Sequence, residues 1–268
     1  MQVLGKAATA AGLSLYFLAT PLVAQIDYRN LDDDRPVVTE DAYPVERYAF
    51  EVLAPYRFEA EADGADLHTT VPEAAYGLAR NAQVGLKLPF AGVDDGGGTD
   101  WGLAGLRLFG LYNFNTESRR LPALSLRADV SFPVGSLAGD GTRFALKAIA
   151  TRSWGRMRAH LNLAGGFGSE TALSVAEPLS RWSASLAVDR TFFRSSLLLI
   201  GEVAASHTIK GAPTGVNASV GGRWQWTPTL VLDVGVTRRL SDSGPDLGLT
   251  VGVSHAFAVR TLMPGGSS

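Results

Sequence analysis

A chain of 268 residues with 30 glycines, no cysteine, 19% charged residues and a formal net charge of -2 narrows the field at once. Without cysteine there is no disulfide framework, no lipid-attachment cysteine and no thiolate metal site. The near-neutral balance argues against nucleic acid, which favours a concentrated basic surface.

Met1 to Ala24 reads as a secretory signal peptide, with a positive charge at Lys6, an apolar run from Ala7 to Ala19, then Pro21 and the small residue Ala24. The run falls short of the ~20 residues that a spanning helix needs. From Gln25 to Glu46 the chain turns acidic, with Asp32, Asp33 and Asp34 in a row and little periodicity. It is expected to be a lead segment, periplasmic or entering a lumen. The glycine and distal glutamate of an EF-hand loop are missing, so a solvated acidic run is favoured over a calcium site.

Twelve segments of alternating polarity follow, at 47–61, 66–78, 82–91, 100–114, 121–135, 142–153, 156–168, 181–191, 196–207, 215–226, 229–240 and 247–257. In one of them Leu124, Leu126, Ala128, Val130 and Phe132 point one way while Ser125, Arg127, Asp129 and Ser131 point the other. One face suits hydrocarbon and the other suits water. Tight connections (Ala79 to Asn81, Trp154 with Gly155, Thr227 with Pro228) alternate with longer ones (Gly92 to Thr99, Ser169 to Ser180, Thr208 to Thr214). Short turns belong to the periplasmic end and long loops to the exterior.

The expected fold is therefore all-β, a transmembrane antiparallel up-and-down β-barrel of about 12 strands over 47–257, with a C-terminal tail at 258–268, in the cell outer membrane. A soluble lipocalin-type barrel would alternate too, with the apolar face inward. The export signal and the aromatic positions weigh against it. Trp154, Phe192, Phe193, Trp224, Trp226 and Phe257 fall near periplasmic strand ends, and Trp101, Phe167 and Trp182 near external ends, as two interfacial girdles would.

The lead segment also carries a resemblance. The string RPVVTEDA, with Arg35, Pro36, Thr39, Glu40 and Asp41, resembles the N-terminal signature of the outer-membrane family associated with the meta-pathway of phenol degradation. Val71 to Phe90 resembles that family's strand, turn, strand unit, and Asp100 to Gly135 its next hairpin. The resemblance implies an outer-membrane barrel that admits small organic compounds, including apolar or aromatic ones. The chain departs from barrels of this class at its end, because Phe257 is followed by Ala258 to Ser268 instead of closing the sequence.

On the face opposite lipid the alternation places Arg127, Asp129, Lys147, Arg158, His160, Asn162, Asp189, Glu202, Arg223, Gln225 and Asp233. Such residues could line a permeation path, or pair with one another and fill the lumen. His68, His160, His207 and His255 form no short-spaced metal pair and read as polar lumen or loop residues. No metal and no cofactor is implied, and the expected partners are outer-membrane lipid, the barrel assembly machinery and a small-molecule solute. Two alternatives stand beside a passive channel. A non-conducting envelope scaffold would act through its external loops. A membrane-embedded hydrolase would need His160 to meet Ser125 or Ser183 across strands, since the neighbours Ser254 and His255 point to opposite faces.

Overall fold

The computed structural model describes residues 26–60, 66–94, 96–168, 180–208, 213–259 and 262–263. The expected signal peptide, most of the 169–180 loop and most of the tail lie outside them. The strands are β1 (Ala49–Ala60), β2 (Asp66–Thr70), β3 (Glu73–Ala79), β4 (Ala82–Lys87), β5 (Phe90–Asp94), β6 (Thr99–Leu103), β7 (Leu106–Asn115), β8 (Ala123–Phe132), β9 (Arg143–Trp154), β10 (Met157–Gly168), β11 (Trp182–Phe192), β12 (Leu197–His207), β13 (Gly215–Thr227), β14 (Leu230–Arg239) and β15 (Leu247–Ala258). Fifteen strands make twelve staves, because β2 with β3, β4 with β5 and β6 with β7 are halves of three interrupted ones.

Two of the interruptions fall at prolines, and the third answers one of them across the ladder. Pro72 and Pro89 have no N–H to give to a ladder. On the third stave, two residues between Lys87 and Phe90 face three between Leu103 and Arg107, so the register shifts by one at Ala104 and Gly105, where Gly105 takes φ 141°. Only glycine adopts that conformation without strain. Leu88 still donates to the Pro72 carbonyl at 2.9 Å and Ala104 to that of Pro89 at 2.8 Å, so neighbouring staves stay joined.

Closure is complete. Every residue of β1 pairs with β15, from Ala49 opposite Ala258 to Ala60 opposite Leu247. In hydrocarbon an unpaired strand edge has no water to turn to, so a spanning sheet must close in this way. The alternation of the sequence is the alternation of the walls. Leu126, Leu161, Leu186, Val234 and Val251 stand exposed on the outer face, while Arg127, His160, Asp189 and Asp233 are buried inside. Trp101, Trp154, Phe167, Trp182, Phe193, Trp224 and Trp226 are all exposed at strand ends. Such an outer surface, apolar at mid-height and ringed by aromatics, faces lipid.

The histidines correct one expectation. His160 is indeed in the lumen, but the other three face outward beside aromatic rings. His68 accepts or donates at 2.7 Å with the Tyr56 hydroxyl and lies near Phe58 and Trp101. His207 stacks on Trp182 and His255 on Phe257. These are strand-end positions, where an amphipathic ring can keep a polar edge at headgroup level. The strand expected at 121–135 also ends early, at Phe132, because the chain peels away at Gly135, whose φ of 108° leaves the extended region.

Arginine placed at Leu126, Leu161 or Val251 should lower stability in lipid by ~2 to 4 kcal/mol, against much less at the inward Ser183. An unfolding titration in liposomes measures the difference.

Candidate functional site: a charged lumen filled by the lead segment

The inward positions of the strands divide by charge. On β3, β4, β7, β8 and β9 they carry Lys87, Arg107, Arg127, Arg143 and Lys147 against Glu73 and Asp129. Lys87 stands opposite Arg107, Arg107 opposite Ser131, and Ser131 opposite Arg143, so three of these cations share one row. Across the lumen, on β10 to β14, the inward carboxylates Asp189, Glu202 and Asp233 stand with the cations Arg158 and Arg223, so this wall carries no excess of positive charge.

Ile26 to Glu46 runs through the space between these walls. It enters at the tight turn between β13 and β14, where Ile26 donates to the Pro228 carbonyl at 2.9 Å and receives Gln225 Nε2 on its own carbonyl at 2.8 Å. Ile26, Tyr28, Leu31 and Val37 then bury against Ala187, Leu198, Ile200, Val231 and Ala256. A dry apolar cluster thus sits inside that part of the barrel. The acidic run is not solvated, contrary to expectation, and the alternative of a periplasmic location gives way to a luminal one. The reason is charge complementarity with the walls.

Consecutive residues of the lead segment reach opposite walls. Asp33 meets Lys87 at 2.9 Å, Arg127 at 3.4 Å and Lys147. Arg35 donates to Asp233 at 3.2 Å, to Ser254 at 2.8 Å and to Asp32 at 2.6 Å, and Arg223 adds a contact to Asp32 at 3.0 Å. The lead segment has almost no secondary structure of its own, so its buried amides need side-chain partners. Glu202 accepts from Val38 at 3.2 Å and from Thr39 at 2.5 Å. Asn162 brackets Glu40, accepting from its amide at 2.9 Å and donating to its carbonyl at 2.8 Å. Thr151 accepts from Ala42 at 3.0 Å, and Gln83 from Val45 at 2.6 Å.

The carboxylates continue the pattern. Glu40 pairs with Arg127 at 3.0 Å and Lys147 at 3.3 Å, and Asp41 with Arg158 at 3.1 Å. Arg127 is held in turn by Asp129 at 2.9 Å and lies 3.9 Å over the Phe109 ring. Burial alone would raise the pKa of Asp33, but the Lys147 and Lys87 ammonium groups and the Arg127 guanidinium hold its carboxyl well below the usual carboxylate range. At Asp41 burial wins and the pKa rises, despite Arg158.

Glycines make room for this segment. A Cβ at Gly221 would stand 2.8 Å from Pro36 Cβ, and one at Gly235 would collide with the Pro36 carbonyl. A Cβ at Gly77 would strike the backbone of Glu46.

Every lumen residue expected from the alternation, Arg127, Asp129, Lys147, Arg158, His160, Asn162, Asp189, Glu202, Arg223, Gln225 and Asp233, lies on the inner wall, and all but Asp129, His160 and Asp189 touch the lead segment directly. Asp129 holds Arg127, and Asp189 holds both Arg158 at 2.6 Å and His160 at 3.0 Å. Lys87, Gln83, Asn113, Thr151 and Ser254 were missed. Gln83 and Lys87 sit on one face of β4 at even spacing, so the same alternation could have found them. His160 does not meet Ser125 or Ser183 but Thr151, at 3.0 Å. That hydroxyl is fully buried and engaged by Ala42, which leaves no room for a substrate at a Thr-His-Asp array.

Beyond the lead segment, towards the longer loops, a cavity of about 460 Å³ remains. Pro36, Val37 and Val38 border it, with Asp33, Arg107 and Lys147 at one wall and Ser183, Ser185, Ser206, Asn217 and Thr237 at the other.

A closed twelve-stave antiparallel barrel with a polar, side-chain-filled interior and an apolar outer belt is the architecture of an outer-membrane β-barrel. Solved structures agree on the fold. The chain is similar to the COG4313 outer membrane channel from Pseudomonas putida F1, with 16% identity over 85% of this chain and 100% of that one, at a TM-score of 0.62. It is also similar to the KdgM porin in complex with disordered oligogalacturonate, with 12% identity over 76% and 98% of the two chains and a TM-score of 0.55. No family model and no curated protein matches the sequence.

Gly235→Val should force Pro36 from its seat. In a Val37→Cys background, whose thiol is the sole one in the chain, the variant should be labelled by a water-soluble maleimide faster than the Val37→Cys parent; equal labelling would place the seat elsewhere.

Proposed function

We propose that this protein is an outer-membrane channel that passively admits small organic solutes, taken up first in the cavity on the external side of the lead segment. The observation that carries the reading is that cavity of about 460 Å³, enclosed by a closed barrel and floored by the protein's own lead segment. A scaffold has no need of a solute-sized space inside its walls. The size fits one small ligand, and Ala145, Ala164, Ala184 and Ala204 among the lining residues provide apolar contact beside the hydroxyls. Apolar or aromatic compounds suit such a surface, and the resemblance to the phenol meta-pathway family points the same way.

Lumen residues Arg127, Lys147, Arg158 and Arg223, with Asp129, Asp189, Glu202 and Asp233, set the path only once the lead segment shifts, because in the packed state they are engaged with it or with one another. The barrel assembly machinery and outer-membrane lipid are its partners in this reading. The dry cluster around Ile26 and Leu198 favours one rival, a non-conducting envelope barrel that only holds a ligand.

Planar-bilayer recording separates the two. The intact protein should pass a small current with weak ion selectivity, since oppositely signed lumen charges lie within about a Debye length, ~8 Å, of one another. Removal of Gln25 to Glu46 should raise the conductance several-fold. No current and no liposome uptake from either form, with both shown folded by heat-modifiability, would establish the non-conducting reading.

A further inference from the structure

The lumen is sided, and the lead segment hides the imbalance. Inward residues of β3, β4, β7, β8 and β9 are Lys87, Arg107, Arg127, Arg143 and Lys147 against Glu73 and Asp129. Those two carboxylates are already committed, Glu73 to Lys87 at 3.5 Å and Asp129 to Arg127 at 2.9 Å. At Lys87, Arg127 and Lys147 further positive charge is met by carboxylates from outside the wall. Asp33 bridges Lys87, Arg127 and Lys147, and Glu40 bridges Arg127 and Lys147. This wall therefore already binds carboxylates, and the ones it binds belong to a peptide that forms no ladder with the wall there, only a bridge of its own between Asp32 and Arg35. The same Asp33, Arg107 and Lys147 border the 460 Å³ cavity, so a solute in that space is beside the ion pairs without having to cross the apolar floor.

We propose that the basic wall formed by Lys87, Arg127 and Lys147 is a binding site for small organic carboxylates, which Asp33 and Glu40 occupy as a tethered competitor. The site deepens the channel reading by naming a substrate class, and depends on that reading only for what happens after binding. Guanidinium and ammonium groups held in place by buried partners suit a planar carboxylate, for which charge-assisted hydrogen bonds are roughly twice as strong as neutral ones. Across the lumen the inward cations Arg158 and Arg223 are matched by Asp189, Glu202 and Asp233, so no comparable excess of positive charge faces the same anion there. Anchored at Ile26 and again where it joins β1, the lead segment presents its carboxylates at an effective concentration in the millimolar range. A free carboxylate competes only when abundant, so the intact protein has low apparent affinity.

The test uses benzoate, with benzamide as an uncharged probe of the same shape, in equilibrium dialysis against the full-length protein in detergent. The intact protein should bind the two about equally. Asp33→Asn with Glu40→Gln should bind benzoate about tenfold more tightly than benzamide, the factor expected for one charge-assisted hydrogen bond gained. Arg127→Ser added to that pair should abolish the gain. Should the double variant fail to give a heat-modifiable barrel, Asp33→Asn alone must show a smaller gain of the same sign. Equal binding of the two probes by the folded variants overturns the proposal, whatever they conduct. Preferential benzoate binding by variants that pass no solute sustains the site and removes the channel reading instead.

Discussion

Arg127 sits where the constraints of this structure meet. Its guanidinium is almost wholly buried, braced by Asp129 from its own strand, covered by the Phe109 ring and joined to Asp33 and Glu40 of the lead segment. A buried cation without such partners would cost several kcal/mol. The wall thus requires carboxylates, and the lead segment requires donors and acceptors for its irregular backbone. Each demand satisfies the other. Breaking the pair from one side leaves a buried charge on the other, which is why the segment is seated rather than merely enclosed.

The barrel and its filling are stabilised by different physics. Staves are held by backbone ladders that lipid makes obligatory, so their energetics tolerate many side-chain changes on the outer face as long as these remain apolar. The lead segment is held by side chains alone, apart from single backbone contacts such as Ile26 to Pro228. Charge-assisted contacts on one half and apolar burial around Leu198 and Ile200 on the other divide the work. Glycines at 77, 221 and 235 set how closely the peptide can lie against the wall. Steric room is therefore as much a part of the seat as charge.

In the proposed channel such a seat bears on transport. In the described residues the wall's cations and anions are mostly engaged by the inserted peptide, while the portion towards the longer loops keeps a solute-sized cavity. Binding and passage become separable steps. The walls differ in net charge, so in the proposed channel a solute in the cavity would meet one basic and one largely neutral surface.

Much of this was legible in the amino-acid sequence. Period-two alternation gave twelve staves and sorted Arg127, Lys147, Arg158, Glu202 and Asp233 to the interior, because a strand has only two faces and lipid tolerates only one kind on its side. What alternation cannot carry is anything that depends on register between strands or on a segment without periodicity. Asp33 and Lys147 are far apart in the chain, and only the closed sheet brings Lys87, Arg127 and Lys147 to one place. Interruptions at Pro72, Pro89 and Gly105 pass unnoticed in a pattern read strand by strand, since their effect is on the neighbouring ladder. The outward placement of His68, His207 and His255 was hidden for a related reason, that a polar ring at the interface and one in the lumen look alike in sequence. An acidic run of low periodicity reads as solvated; its burial was decided by the tertiary structure, through the net positive charge that five strands assemble on one wall.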